Sequence, residues 1–134
     1  MSDDLTLWQQ VLGAEHAAIY GYGLVGATND LAEGAASALV VHRQRRTWCI
    51  DAGVALGGVP EASAPAYDIA MPADPDAAAE TAAALEAACW PAYVALAGSD
   101  DRRTRLTGAG WLRESTVRAQ AWDGSVAPLP GLDT

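Results

Sequence analysis

The first long helical segment of this chain carries a glutamate within its apolar stripe, and few folds accommodate such a residue. In residues 3–28 the apolar side chains recur at steps of three and four, which places them on one face of a helix. Leu12, Glu15 and Ile19 share that face. Glu15 is therefore predicted to point into the core. An unpaired carboxylate there would cost several kcal/mol, so other segments of the chain must supply a partner for it.

Three more helical segments are predicted, and each brings ionisable side chains to a comparable depth. They cover residues 31–56, 74–97 and 101–122, in which apolar residues again recur with a helical period. The predicted buried charge cluster consists of Glu15, His42, Arg45, Arg46, Glu86, Glu114 and Arg118.

Residues that begin and end helices support these boundaries. Asp74 and Pro75 are residue types preferred at an N-cap and at the first helical position. The Gly-Gly pair at 57–58 is expected to end the second helix, because glycine tolerates the backbone conformation that follows a helix C-terminus. Either Ser99 or Asp100 is predicted to cap the fourth helix.

The connection predicted between the second and third helices is long. Residues 59–74 include three prolines and lack a helical period. Fully extended, this segment reaches about 50 Å, whereas a helix of about 24 residues is about 35 Å long, so the segment can run the whole length of a bundle. We therefore expect one all-α domain covering residues 1–134, an antiparallel four-helix bundle with a long crossover between helices 2 and 3. That is the topology of ferritin-like folds.

The depth of each charged residue in its hairpin suggests how the charges pair. Equal distances from the first turn place Glu15 level with Arg45 or Arg46. Around the second turn, Arg118 lies about one helical turn from the level of Glu86. In this structural interpretation, guanidinium groups neutralise the buried acids and the cluster catalyses no reaction.

A metal centre is the alternative interpretation, since iron and manganese suit carboxylate and imidazole ligands. The ferritin-like di-metal pattern needs a Glu-x-x-His motif on two helices. Leu39 stands three residues before His42, and Val117 stands three residues after Glu114, so neither motif is present. The sequence therefore predicts no cofactor, with an iron- or manganese-dependent oxidoreductase as the alternative. Its ligands would be Glu15, His42, Glu86 and Glu114.

Composition argues against two classes of partner and indicates a compartment. A formal net charge of -9 disfavours nucleic acid, because affinity for it comes mainly from neutralising phosphates. No apolar run approaches the roughly 18 residues of a membrane span. The acidic start of the chain is unlike a signal peptide. Cys49 and Cys89 lie in predicted helix interiors and are expected to be buried free thiols, which suits a cytoplasmic protein.

Three further candidates rest on one residue or on one pair of residues. His16 lies on the face next to Glu15 and is expected to be partly exposed or at an interface. A nucleophile pair of Cys49 and His42 fails, because the two residues are two helical turns apart. Pro91 interrupts the third helix, and a kink there would offer space for a small ligand.

Four stretches of the chain carry a resemblance to a known family. They are residues 15–23 (Glu-His-Ala-Ala-Ile-Tyr-Gly-Tyr-Gly), 42–46 (His-Arg-Gln-Arg-Arg), 65–67 (Pro-Ala-Tyr) and 130–132 (Pro-Gly-Leu). In these stretches, which span nearly the whole chain in order, the sequence resembles an uncharacterised bacterial ferritin-like domain of unknown function. The resemblance implies an all-helical ferritin-like bundle that forms a homodimer, and it implies no known activity.

The sequence thus predicts a cytoplasmic, homodimeric, ferritin-like protein with a buried cluster of glutamate, arginine and histidine. Its predicted role is structural or in protein interaction rather than enzymatic. Neither a substrate nor a reaction follows from the residues.

Overall fold

Helices form the regular structure of the part of the chain that the computed structural model describes, residues 3–123, in which there is no strand. A short 3-10 turn, Asn29–Leu31, joins the first two helices. The prediction of four helices with an irregular segment between the second and third is confirmed. The sequence predicts that the tail, residues 123–134, is extended and packs on the bundle surface. Residues 124–134 lie outside the described residues. The helices are α1 (Asp3–Gly26), α2 (Ala32–Ala55), α3 (Pro75–Ala97) and α4 (Arg102–Asp123).

The helix ends follow from their capping residues. Asp74 Oδ1 accepts a hydrogen bond from the backbone N–H of Ala77 over 2.8 Å, and Pro75 is the first residue of α3, as predicted. Gly57 follows α2 with a φ of 85°, a conformation that favours glycine. At α4, Asp101 rather than Ser99 or Asp100 is the cap, because its Oδ2 accepts from the N–H of Thr104 over 2.9 Å.

The helices pack as two hairpins, α1 with α2 and α3 with α4, and α1 also packs along α3. Contacts between α1 and α3 run in opposite directions along the two helices. Cys89 Sγ lies 3.8 Å from the carbonyl oxygen of Ala14, whereas Gly21, further along α1, faces Leu85, earlier in α3. A Cβ on Gly21 would lie 2.4 Å from Leu85, so the close approach of α1 and α3 requires glycine there. α1 continues through Gly21 without the break that the sequence allowed.

The connection between α2 and α3 lies along α1. Near its start, the carbonyl of Val59 accepts from Gln9 Nε2 over 2.7 Å. Further on, the ring of Tyr67 lies 5.6 Å from that of Tyr20. Still later, Ile69 packs on the apolar cluster at the C-terminal end of α1. Successive residues of the connection thus contact successively later residues of α1.

The sequence period allows two buried faces on α2, one with His42 and Arg45 and one with Leu39 and Arg46, and the structure buries the first. On α4 the period predicts a buried face with Trp111, Glu114 and Val117. That prediction is wrong, since all three are partly or largely exposed. Small residues face the core instead, because α4 lies very close to α3: a Cβ on Gly108 would lie 2.5 Å from the backbone nitrogen of Ala97. The buried residues of α4 are Thr104, Gly108, Ser115, Thr116 and Ala119.

Two apolar clusters fill the bundle, and a polar layer separates them. One cluster includes Trp8, Leu12 and Leu96, and the other includes Val25 and Ala82. The thiols of Cys49 and Cys89 are buried and free, as predicted. None of the helices within residues 3–123 has the length and apolarity that a membrane span requires.

Candidate functional site: a buried imidazole between two carboxylates

The imidazole of His42 lies at the centre of the bundle, between glutamates from two other helices. Its Nδ1 is 2.5 Å from Oε1 of Glu15 on α1, and its Nε2 is 2.9 Å from Oε2 of Glu86 on α3. All three residues are fully buried. A single ring from α2 therefore contacts both buried carboxylates.

The two carboxylates keep this imidazole protonated. Burial alone would lower the pKa of His42, but its hydrogen bonds and ionic contacts with Glu15 and Glu86 outweigh burial and raise that pKa above its usual 6.5. Burial would likewise raise the pKa of Glu86, but hydrogen bonds from His42, Tyr22 and Ser115 lower it to about 2. At neutral pH the centre therefore consists of two carboxylates sharing one imidazolium, which carries a proton on each ring nitrogen.

Hydroxyl groups bind the remaining carboxylate oxygens. Tyr93 of α3 donates to Oε2 of Glu15, and Tyr22 of α1 donates to Oε2 of Glu86. Ser115 of α4 donates to Oε1 of Glu86 over 2.7 Å. Every oxygen of both carboxylates thus accepts at least one hydrogen bond, as buried acceptors require. The network joins all four helices.

Nitrogen donors orient these hydroxyls. Each hydroxyl accepts one N–H hydrogen bond and gives its own proton to a carboxylate, so its direction is set. Burial is the main cause that raises the pKa of Tyr22 and of Tyr93, and the nearby carboxylates add to it, so both remain protonated donors. The donor and hydroxyl pairs are Trp122 with Tyr22 (3.0 Å), Trp90 with Ser115 (3.1 Å) and Arg45 with Tyr93 (2.9 Å).

Arg45 pairs directly with an acid at the edge of the network, and its charge also acts on Glu15 at the centre. Its Nη2 donates to Oε1 of Glu114 over 2.8 Å, and its Nη1 donates to the hydroxyl of Tyr93. The expectation that an arginine pairs directly with Glu15 was therefore wrong. Because α1 ends at Gly26 and α2 begins at Ala32, His42 lies closer to the depth of Glu15 than Arg45 does.

The remaining predicted members of the cluster lie further from its centre. Arg118 is 23% exposed, and its Nη1 is 3.7 Å from Oε1 of Glu86. Glu114 is 56% exposed and contacts Arg45. Arg46 is half-buried and makes no hydrogen bond or ion pair with the described residues, so the structure does not bring it into the network.

His16 has a role different from the one expected. It is buried, with 8% exposure, and its Nε2 lies 2.9 Å from the carbonyl oxygen of Glu61 in the connection between α2 and α3. This hydrogen bond holds the segment between α2 and α3 against α1.

The four alternative metal ligands do not fit a metal centre in this arrangement. Both nitrogens of His42 face carboxylate oxygens at hydrogen-bonding distance, so neither directs a free lone pair at a metal position. Glu114 extends outward to Arg45. Within residues 3–123, no group of three or more His, Cys, Asp and Glu side chains is arranged to hold a metal ion.

Sequence reasoning missed the hydroxyl donors of this network. Tyr22 and Tyr93 were interpreted as ordinary core aromatics. A signal was nevertheless present, because each tyrosine follows a buried glutamate by seven residues on its own helix. Seven residues are close to two helical turns, so each tyrosine shares the face of its glutamate. Across the antiparallel pair, each hydroxyl then meets the glutamate of the other helix.

The chain is similar to a family model and to a solved structure. The family model, described as Domain of unknown function (DUF4439), matches residues 8–134. The crystal structure of a conserved hypothetical protein, rv2844, from Mycobacterium tuberculosis is similar with 31% sequence identity and a TM-score of 0.85. That similarity covers 92% of this chain and 96% of the other. No curated protein matches.

Proposed function

The chain belongs to the DUF4439 family, whose description assigns no activity, and we propose that it is a non-catalytic, structural or interaction protein with a ferritin-like bundle. In this proposal the buried cluster stabilises the bundle: the imidazolium of His42 pairs with both acids, and Arg118, 3.7 Å from Glu86, supplies positive charge beside the acid charge that one imidazolium leaves unbalanced.

One observation supports the structural role: the hydrogen-bonding groups at the centre of the cluster, those of His42, Glu15 and Glu86, are all satisfied internally. Both nitrogens of His42 and all four oxygens of Glu15 and Glu86 have partners within the bundle. A catalytic site needs at least one group that is free to contact a substrate. A closed, fully bonded network instead rigidifies a core and specifies one arrangement of the helices.

The ferritin-like topology is supported by the directions of the helices. α1 is antiparallel to α2 through their short turn, and its contacts with α3 also run antiparallel. α2 and α3 then point the same way, so the chain between them must return along the bundle. The contacts of that connection with Gln9, His16 and Tyr20 of α1 follow such a path. We treat residues 1–134 as one such domain.

We further propose a cytoplasmic homodimer that does not bind nucleic acid. Trp48, Val54 and Leu106 expose about half of their surface on α2 and α4, which offers an apolar area to a second copy. The buried free thiols suit a reducing compartment. Light scattering after size-exclusion chromatography tests the dimer, for which a mass twice that of the chain is expected and a monomer mass would contradict it.

Metal analysis combined with one substitution tests the role of the cluster. Protein purified without chelator is expected to hold no stoichiometric iron or manganese. Glu15→Ala should lower the free energy of unfolding by about 3 kcal/mol or more, because it leaves an imidazolium and a tyrosine hydroxyl partly unpaired in the core. Glu80→Ala is the control, because Glu80 is exposed on α3 and surface substitutions usually change stability by no more than about 0.5 kcal/mol. Stoichiometric metal that Glu15→Ala abolishes, with an unchanged melting temperature, would contradict the proposal.

A further inference from the structure

The two helical hairpins place the same residue types around the cluster. The first helix of each hairpin carries a glutamate that is followed by a tyrosine seven residues later, and each tyrosine donates to the glutamate of the other hairpin. The second helix of each hairpin provides a side chain that hydrogen-bonds the glutamate of the same hairpin. An arginine follows that side chain three residues later. The corresponding residues are Glu15 and Glu86, Tyr22 and Tyr93, His42 and Ser115, and Arg45 and Arg118.

The two arginines occupy equivalent positions in very different surroundings. Arg45 is 3% exposed and hydrogen-bonds both Glu114 and the hydroxyl of Tyr93. Its guanidinium carbon lies 5.2 Å from the ring centroid of Tyr93 and 5.3 Å from that of Trp111. Arg45 therefore has a carboxylate partner, a hydroxyl partner and an aromatic cover.

Arg118 lacks these partners. Its Nη1 is buried and makes no hydrogen bond with the described residues, and the nearest acid, Glu86, is 3.7 Å away. The equivalent hydroxyl, that of Tyr22, accepts from the indole of Trp122 instead. Glu86 accepts hydrogen bonds from His42, Tyr22 and Ser115, and the buried Nη1 of Arg118 adds an ion pair without a hydrogen bond. Arg118 is 23% exposed, so part of its side chain is accessible to a second anion.

A cavity lies beside Arg118, whereas at the equivalent place Arg45 is in contact with the side chains of Trp111 and Glu114. It has a volume of about 340 Å³ and is lined by Ala38 and Val41 of α2 and by Arg118 and Trp122 of α4. The spacing that relates Arg45 to Arg118 also relates Ala38 to Trp111 and Val41 to Glu114. The indole and the carboxylate that surround Arg45 are therefore replaced by a methyl group and an isopropyl group beside Arg118.

We propose that this cavity binds a small aromatic carboxylate. The carboxylate would pair with Arg118, as Glu114 pairs with Arg45, and the ring would lie between α2 and Trp122, as Trp111 lies on Arg45. The volume is within the range of small-molecule sites, and Arg118 is the one charged side chain among the described residues that line the cavity. Carboxylate recognition by arginine is geometrically specific, which favours a carboxylate over a neutral aromatic compound. The inference concerns a surface outside the closed cluster and goes beyond the proposed structural role.

Benzoate and benzamide are the probes, since they share a phenyl ring and differ only in whether it carries an anionic carboxylate or a neutral carboxamide. Isothermal titration of the full chain should give saturable binding of benzoate, and benzamide should bind at least about tenfold more weakly because it lacks the charged hydrogen bond. In ¹H–¹⁵N spectra, benzoate should shift the indole N–H resonance of Trp122, assigned with Trp122→Phe. Equal affinities for the two probes, or no saturable binding of benzoate, would overturn the proposal.

Substitutions on α2 separate the cavity from the general charge of the protein. Val41→Glu places a carboxylate where the ligand would bind, and it should weaken benzoate binding by at least about tenfold. Val40→Glu is the matched control, because Val40 is 54% exposed, does not line the cavity and acquires the same charge. Arg118→Gln should also weaken benzoate binding by at least about tenfold. If Arg118→Gln fails to fold, the comparison of Val41→Glu with Val40→Glu still decides. Equal loss in those two variants would overturn the proposal.

Discussion

The surroundings of Arg45 and Arg118 differ far more than those of the two glutamates beside them. Glu15 and Glu86 each bind His42 and a tyrosine from the facing helix. Arg45, by contrast, is covered and paired, whereas Arg118 borders a cavity and has a nitrogen without a hydrogen bond. Both arginines still act on the centre, because Arg45 donates to the Tyr93 hydroxyl that binds Glu15, and Arg118 forms an ion pair with Glu86 at 3.7 Å. The two arginines differ in what surrounds the rest of each side chain.

Replacing His42 should have the largest effect on stability, because the substitution removes the imidazolium that contacts the buried glutamates of both hairpins. In His42→Leu two carboxylates would remain buried without their common cation, and the free energy of unfolding should fall by about 3–5 kcal/mol. Urea denaturation measures this loss. His16→Leu is a matched control that removes one hydrogen bond to a carbonyl and should cost about 1 kcal/mol. A His42→Leu variant within 1 kcal/mol of wild type, roughly the control's loss, would show that the imidazolium does not hold the centre.

Stability should fall both at acid pH, where Glu86 is protonated, and at higher pH, where His42 loses its proton. Glu86 has a folded pKa of about 2 against an ordinary 4.5, so its contribution of about 3 kcal/mol is present above pH 4.5 and is lost as the pH falls towards 2. The pKa of His42 is raised, so its contribution is present below pH 6.5 and is lost as the pH rises through the folded value. Denaturation curves across pH measure both limbs. Glu86→Gln should flatten the acid limb, and an acid limb identical to that of wild type would contradict the assignment.

Trp111→Ala should make the surroundings of Arg45 resemble those of Arg118. Removing the indole opens a cavity over a guanidinium and deletes ring contacts with Trp8, Trp48 and Tyr93. The expected loss is about 2–3 kcal/mol, below that of a fully buried tryptophan because Trp111 is partly exposed. Thermal or urea unfolding measures it. Trp48→Ala, a change at a half-exposed neighbour, should lower the free energy of unfolding by less. An equal loss would mean that the contact of the Trp111 ring with Arg45 does not add to stability.

The smallest effect should come from the opposite change, supplying Arg118 with the acid it lacks. Val41→Glu should raise the free energy of unfolding by about 0.5–1 kcal/mol, since the new carboxylate can pair with a partly buried guanidinium. Val40→Glu should leave stability nearly unchanged, because its side chain is exposed. If Val41→Glu were destabilising while Val40→Glu was neutral, the two arginine sites would not be equivalent.

The positions of the helices were predictable because local signals and long periodic patterns agree there. Asp74 and Pro75 begin α3 where their types predict, and the segment between α2 and α3 is irregular, as its prolines indicate. The placement of Glu15 in the core followed from its neighbours at three- and four-residue spacing, and Glu15 is fully buried. The helix boundaries and the burial of Glu15 could be predicted because they depend on residue types and spacing within a single helix.

The pairing inside the bundle was not predictable to the same extent, because it depends on distances between helices. The face that α4 buries is set by its close approach to α3 at Gly108, and the sequence pattern of Trp111 and Val117 indicated another face. His42 rather than an arginine reaches Glu15, because the short turn after α1 sets the relative depth of the two helices. Hydrogen bonds from Tyr22 and Tyr93 cross between α1 and α3, which no single-helix pattern reveals.

Nitrogen-15 NMR of the His42 ring tests the central claim most directly. The account predicts that at pH 7 both ring nitrogens carry protons, with the chemical shifts of an imidazolium and no titration near pH 6.5, because Glu15 and Glu86 each accept one of those protons. A neutral imidazole with a single protonated nitrogen at pH 7 would contradict the account.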